Sequence, residues 1–343
     1  MSNNQSKILQ VKNLKTYFFT ENGTVKAVDG VDFEIYQGET LGLVGESGCG
    51  KTVTAFSIVK LLDYPGKTVG GQVFFKGEDL LKKNEKQMRK IRGKEISIIF
   101  QEPMTSLNPV FTIGFQITEA LKVHYKINKK KAREKAIQLL EKVGIPIPEQ
   151  RIDEYPHQLS GGMRQRAMIA MALACDPSLL IADEPTTSLD VTIQAQILEL
   201  MKSLLKQFNS SLIMITHDLG VIAEIADRIA VMYAGKVVEY TDTRSIFYSP
   251  LHPYTFGLLT SIPRLDMEIE KLESIPGAVP DPLHFPEGCK FHPRCIFATE
   301  KCRKEEPSLM EIKDKHLVRC WHSDKVQQEV KKMDFTRRLA VGE

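Results

Sequence analysis

Apolar and polar positions along the chain change period several times, and each change marks an element. Ile8 to Phe19 and Val25 to Tyr36 are β-rich runs parted by Glu21-Asn22-Gly23, a turn signal of the hairpin kind, and are expected to form an antiparallel layer. Leu41 to Val44 is a short apolar run followed by glycines; Thr52 to Val59 then reads as a helix and Gln72 to Phe75 as another strand. Ile96 to Phe100, Leu179 to Ala182 and Leu212 to Ile215 are apolar runs of the kind that make strands buried on both faces. From about Glu102 to Ser160 the period turns helical, with Ala132, Ala136, Leu139, Leu140 and Val143 on one face and Gly144 and Pro146 closing it. A second helical stripe, Ile193, Ile197, Leu200, Met201, Leu204, Leu205 and Phe208, must pack on a sheet. Ile229 to Met232 and Lys236 to Tyr240 read as a hairpin around Ala234-Gly235. Buried strands alternating with helices predict an α/β chain whose parallel sheet is covered on both faces.

After about Pro250 the pattern breaks: Pro250, Pro253, Pro263, Pro276, Pro280, Pro282, Pro286 and Pro293 are scattered where no compact core is expected. The chain is therefore divided into a core, 1–250, with a helical insertion at about 102–175, and a C-terminal extension, 251–343, that ends in a charged tail from about Lys325. Composition changes this picture little. Hydrophobic content of 42% and charged content of 26% are ordinary for a globular protein. The net charge of +3, on 46 basic and 43 acidic residues, recommends no nucleic-acid partner. The seven Lys and Arg residues between Lys82 and Lys94 read as a solvated helical face. Residues 1–7 lack the apolar region of a secretory signal, and no stretch approaches the ~18 apolar residues of a membrane span. A cytoplasmic chain is expected, in which six cysteines serve as thiols or metal ligands rather than disulfides.

The glycines after Val44 carry the first chemistry. Gly45-Glu46-Ser47-Gly48-Cys49-Gly50-Lys51-Thr52 fits G-x-x-x-x-G-K-[ST] between a strand and a helix, the phosphate cradle of a P-loop NTPase. Its backbone N–H groups, from Gly45 through Ser47, Gly48, Cys49 and Gly50, are expected to face an anionic nucleotide at the positive end of the helix. Lys51 would hold the β and γ phosphates and Thr52 would offer its hydroxyl to Mg²⁺. Cys49 lines this loop, where its oxidation would inhibit; Cys175 reads as a small buried hydrophobe.

Leu159-Ser160-Gly161-Gly162-Met163-Arg164-Gln165-Arg166 opens another helix, with Ser160 in a capping position and two glycines exposing N–H groups. On its own the stretch reads equally as an anion site at a helix start and as a good cap. It resembles the LSGGQ signature of the ABC ATPases, with Met163 where glutamine is usual, and further motifs of that family follow in its order across roughly residues 8–241. Leu179 to Glu184 resembles Walker B, which implies Asp183 on the Mg²⁺ shell and Glu184 as the general base that orients the lytic water. Gln101 matches the Q-loop residue that reaches Mg²⁺ or that water, Ser188-Leu189-Asp190 the D-loop, and His217 the switch histidine that senses the γ-phosphate. Phe18 matches the aromatic that stacks on adenine, with Tyr17 and Phe19 beside it. The resemblance implies a P-loop ABC ATPase core with a mixed sheet, an antiparallel β layer and a helical signature subdomain. It also implies a head-to-tail pair of subunits, in which the Ser160-Gly161-Gly162 of one closes the nucleotide site of the other.

Pro250 to Thr255 and the run from Ile275 to Cys289 resemble the C-terminal region of dipeptide and oligopeptide permease ATPases. That resemblance implies an ATP-hydrolysing subunit at the cytoplasmic face of the membrane, working with two transmembrane permease subunits, a second ABC ATPase, the same or related, and an extracytoplasmic peptide-binding protein. Import of another solute such as nickel, or less readily a non-transport ABC role, are the alternatives. Cys289, Cys295, Cys302 and Cys320 are spaced C-x₅-C-x₆-C-x₁₇-C. Four thiolates suit tetrahedral Zn²⁺ or a [4Fe–4S] cluster, and free thiols are the third reading. The spacing does not choose; the family resemblance implies the [4Fe–4S] cluster, in a structural or sensing role, with His292 and His316 as substitute ligands within reach.

Overall fold

The computed structural model describes residues 6–102, 106–187, 190–261 and 275–332. In chain order these form β1 (Lys7–Thr20), β2 (Gly23–Tyr36), β3 (Thr40–Val44), α1 (Lys51–Ile58), β4 (Gly66–Phe75), β5 (Glu78–Asp79), α2 (Glu85–Ile91) and β6 (Ile96–Ile99). Next come α3 (Ile113–Tyr125), α4 (Lys129–Lys142), α5 (Pro148–Arg151), α6 (Gly161–Leu173), β7 (Leu179–Asp183), α7 (Val191–Phe208) and β8 (Ser211–Thr216). The chain ends with α8 (Leu219–Ile225), β9 (Arg228–Tyr233), β10 (Lys236–Asp242), α9 (Thr243–Tyr248), α10 (Pro253–Thr260), α11 (Glu300–Lys304), β11 (Met310–Lys313), β12 (His316–Val318) and α12 (Ser323–Lys332). Two compact units interleave along the sequence: one of Met1–Leu9, Ile35–Thr40 and Phe74–Ile215, the other of Gln10–Glu34, Leu41–Val73 and Thr216–Glu343. Among the described residues no helix is long and apolar enough to cross a membrane.

In the first unit β6, β7 and β8 run parallel, with Ile96 opposite Leu179 and Leu179 opposite Ser211. Every residue of β7 and β8 is buried, which is why both read as unbroken apolar runs. Each large aliphatic side chain buried there contributes about 1.5–3 kcal/mol. The helical insertion follows its expected stripe: Ala132, Ala136, Leu139 and Leu140 are buried on α4, Asn128 caps its start, and Gly144 takes a left-handed φ of 73° just past its end. On α7 the buried positions are Ile197, Leu198, Met201, Leu204 and Leu205; Leu198 joins the expected stripe, while Ile193, Leu200 and Phe208 are half-buried.

In the second unit β1 lies between β2 and β4. β3 is parallel to β9, with Leu41 opposite Arg228 and Val44 opposite Val231, and β9 turns into antiparallel β10 through Ala234 and Gly235. Both turn residues have positive φ, 47° and 80°, the geometry of a tight hairpin turn. The C-terminal extension departs from the expectation of little regular structure. β12 pairs with β10 through Glu239–Val318 and Tyr240–Leu317, and β11 pairs with β12, so the extension continues this unit's sheet. Glu239, fully buried on β10, accepts from the backbone N–H of Leu251 and His252 at 2.6 and 3.0 Å and pairs with His316 Nε2 at 2.7 Å, which ties two stretches of the extension to one carboxylate.

Candidate functional site

The phosphate loop leaves β3 and enters α1 in the second unit. Gly45 and Gly50 are required sterically as well as conformationally: a Cβ at Gly45 would lie 2.2 Å from the Met232 carbonyl oxygen, and one at Gly50 2.3 Å from that of Ala27. Gly48, at φ 77°, meets nothing within 4 Å and is required by its backbone conformation alone. Gly50 is the N-cap of α1 and supplies no side-chain cap, so the first N–H groups of the helix have no side-chain acceptor at the cap. Lys51 is buried, and its ammonium donates to the carbonyls of Gly45 and Glu46 at 2.7 and 3.1 Å. A cation held by the loop's own backbone, at the start of a helix with no side-chain cap, suits an anion. Cys49 is buried, and desolvation pushes its thiol up. Burial likewise raises Cys175 to about 11, in keeping with a small buried hydrophobe.

Strand alternation separates the three aromatics of β1. Phe18 packs against Gly66, where an added Cβ would come within 2.8 Å of its ring. Tyr17 lies on the opposite face and donates to Asp29 at 2.8 Å, and Phe19 is exposed. Asp29 is two residues beyond Ala27, the residue that abuts Gly50, so Tyr17 is tied to the strand beside the phosphate loop. His217 follows β8, exposed, and the neighbouring Asp218 is spent as the cap of α8, accepting from Gly220 and Val221.

The carboxylates sit in the first unit. Asp183 ends β7 and is 3% exposed. Glu184 then takes a left-handed φ of 46°, a conformation that costs a non-glycine residue about 1–3 kcal/mol and recurs at functional sites. Its N–H donates to the Ile215 carbonyl at 2.9 Å, which holds the turn. The carboxylate is held from two sides: Gln101 Nε2 and Thr187 Oγ1 both donate to Glu184 Oε2, at 3.1 and 3.0 Å. Gln101 and Glu184, picked separately from the sequence, are thus partners, while Thr187 gave no signal.

Ser160 caps α6 by accepting from the Met163 N–H at 3.3 Å, with Gly161 and Gly162 in the first turn. A Cβ at Gly162 would lie 3.3 Å from the Ile193 side chain, a tight approach that the neighbour would have to yield to. Buried Gln165 donates to the Pro185 carbonyl and links the signature helix to the residue after Glu184. Asp190 caps α7 by accepting from Ile193 N–H at 2.9 Å; Ser188 and Leu189 of the same motif lie outside the described residues.

The four C-terminal cysteines come together, which their spacing did not show. Cys289, Cys295, Cys302 and Cys320 all line one cavity, with Phe291, Phe297 and Trp321 among its walls. All are free thiols. Burial, with the neighbouring cysteines adding to it, raises Cys289 and Cys295 to about 11 and Cys320 to about 12. Among the described residues, however, no three His, Cys, Asp or Glu side chains are arranged to hold a metal ion. The ligand shell expected for a [4Fe–4S] cluster is thus not formed among the described residues; the four cysteines share a cavity walled in part by aromatic rings. His292 lines this cavity, whereas His316 is not among its lining residues and pairs with Glu239 through Nε2 at 2.7 Å.

Comparison with known proteins bears on the whole chain. Residues 28–187 match the ABC transporter family model, and residues 238–302 match that of the oligopeptide/dipeptide transporter C-terminal region. The oligopeptide transport ATP-binding protein AppD of Bacillus subtilis is 57% identical over 317 residues, 92% of this chain and 97% of that one. The dipeptide transport ATP-binding protein DppD of Escherichia coli is 52% identical over 313 residues, 91% and 96% of the two chains. Among solved structures, a dimeric post-hydrolysis state of the ATP-binding cassette MJ0796 bound to ADP and Pi superposes with a TM-score of 0.62 at 27% identity, covering 69% of this chain and 99% of that one.

Proposed function

The chain belongs to the ATP-binding subunits of the oligopeptide and dipeptide ABC transporters, and on that premise we propose that it powers import of dipeptides or oligopeptides through a membrane permease. It is an ATPase of the ABC family. The observation that carries the reading of its chemistry is the placement of Glu184, a strained carboxylate at the exit of a buried strand, held by Gln101 and Thr187.

In this reading the N–H groups of Gly45, Ser47, Gly48, Cys49 and Gly50, together with Lys51, hold the phosphates. Thr52, Asp183 and Gln101 hold Mg²⁺, which when bound neutralises charge on the β and γ oxygens. Glu184 accepts a proton from the attacking water while Gln101 keeps its carboxylate in position. His217 senses the γ-phosphate, and an aromatic of β1 stacks on adenine; the packing of Phe18 on Gly66 favours Tyr17 for that role. Ser160, Gly161, Gly162 and Asp190 serve the nucleotide of a second ATPase subunit. The functional division is a nucleotide-binding domain, 1–250, and an extension, 251–343. The assembly sits at the cytoplasmic face of the membrane with two permease subunits and is supplied by an extracytoplasmic peptide-binding protein. The test is uptake of labelled dipeptides and oligopeptides by proteoliposomes containing the assembled complex. ATP-dependent peptide uptake is expected, and uptake of nickel without peptide would reject this reading.

The convergence of four cysteines on one cavity also supports a [4Fe–4S] cluster, with Zn²⁺ as the alternative, although the thiols are not arranged as a ligand shell. No step of hydrolysis is routed through it. Anaerobic purification with iron, sulfide and zinc analysis decides: visible absorbance with stoichiometric iron and sulfide supports the cluster, and a colourless, metal-free protein removes it.

A further inference from the structure

Glu46 is the second residue of the phosphate loop, and the far end of the chain holds it. Arg294 donates through Nη1 to Glu46 Oε2 at 2.7 Å and through Nη2 to Oε1 at 3.0 Å. The backbone N–H of Glu46 donates to the Tyr254 hydroxyl at 2.8 Å. Arg294 is itself fixed, since its Nε donates to the Pro276 carbonyl at 3.0 Å and its side chain is 4% exposed against 29% for Glu46. Tyr254 packs with Tyr233 and Phe291 at ring separations of 4.7 and 5.5 Å. A second grip acts further along the loop, where Gly235 N–H donates to the Cys49 carbonyl and Lys290 donates to the adjacent Ala234 carbonyl at 2.9 Å. Lys290 follows Cys289 and Arg294 precedes Cys295, so both grips come from the segment that carries the cysteines.

Two physical effects follow. A loop with three glycines is intrinsically loose, and a planar guanidinium that engages both carboxylate oxygens sets its orientation in a way a point charge cannot. A carboxylate in a loop built for a polyphosphate also repels its ligand unless a cation neutralises it. We propose that Arg294 is a positioning residue of the phosphate loop: by orienting and neutralising Glu46 it sets the affinity for ATP, which makes the C-terminal region part of the nucleotide-binding machinery. This rests on the ATP-binding reading above.

The test is equilibrium binding of a fluorescent ATP analogue to the full chain, with thermal unfolding followed in parallel. Arg294→Gln weakens binding about tenfold, and Arg294→Lys, which keeps the charge but not the fork, recovers part of the loss. In a Glu46→Gln background there is no carboxylate left to neutralise, and the same Arg294→Gln change costs less than about threefold. Unchanged binding by Arg294→Gln overturns the inference, as does a loss that persists undiminished in the Glu46→Gln background. If the unsubstituted chain binds no analogue, the ATP reading itself fails, which is a different result from either of these.

Discussion

Gln101 donates its amide to Glu184 Oε2 at 3.1 Å, joining two residues that lie 83 positions apart in the chain. Thr187 donates to the same oxygen at 3.0 Å, so two side chains orient this carboxylate. Replacing Glu184 with Gln removes the base but keeps the shape of the side chain. Steady-state hydrolysis is expected to fall by about 10²–10⁴-fold while ATP-dependent association with a second subunit persists. Gln101→Ala leaves the base in place but less well oriented, and a loss of about tenfold in kcat is expected, the equivalent of about 1.4 kcal/mol. Turnover of Glu184→Gln within a few-fold of the unsubstituted protein would remove this residue from the role of base.

The glycines of the phosphate loop differ in what they tolerate. Gly50→Ala places a methyl group 2.3 Å from the Ala27 carbonyl at a φ of 103°, so the loop must move and nucleotide binding is expected to be lost. Gly48→Ala meets open space and carries only the cost of a left-handed residue, about 1–2 kcal/mol. Titration of both variants with nucleotide checks the contrast, and equal losses would contradict it.

Glu239 anchors the extension. Glu239→Ala leaves the N–H groups of Leu251 and His252 and the ring of His316 without their buried acceptor, and a loss of about 3 kcal/mol or more in stability is expected. Glu239→Gln keeps one acceptor oxygen and should lose less. Urea unfolding of the two variants supplies the measurement.

Asp29 gives the fold a sensitivity to acid. Burial pushes its carboxyl up, but Lys290, the Tyr17 hydroxyl and Lys236 outweigh that and bring it down from 3.8 to about 2. A carboxyl depressed on folding contributes stability that is complete above its unfolded value and is lost as pH falls through the folded one, here between 3.8 and about 2. In Asp29→Asn that part of the acid limb should disappear. Unfolding midpoints at several pH values below 5 measure it, and an unchanged acid limb would contradict the assignment.

The phosphate loop, the capped start of α6 and the Asp183-Glu184 strand end could be read from the chain because each is a local device. Cap, glycine and cation lie within eight residues, and the hydrogen bonds close inside that window, as with Ser160 and Met163 or Lys51 and Gly45. Buried strands and the α4 stripe were legible for the same reason, since burial imposes a period on neighbouring positions. Sidedness was less so: Phe18 fits the sequence pattern of a stacking aromatic, yet one step of strand alternation turns it onto Gly66 and leaves Tyr17 beside Asp29.

The sequence by itself determined the helix-start anion cradles and the strand-end carboxylates, because these use residue types at short, fixed spacings, and resemblance to the ABC ATPases and to the peptide-permease C-terminal region supplied the family. Only the tertiary structure decided what that C-terminal region does for the fold: β12 extends the strand pairing of β10, four distant cysteines share a cavity, and Arg294 reaches Glu46 across 248 residues. Such pairs are made by sheet register and packing, which set distances that residue spacing does not encode.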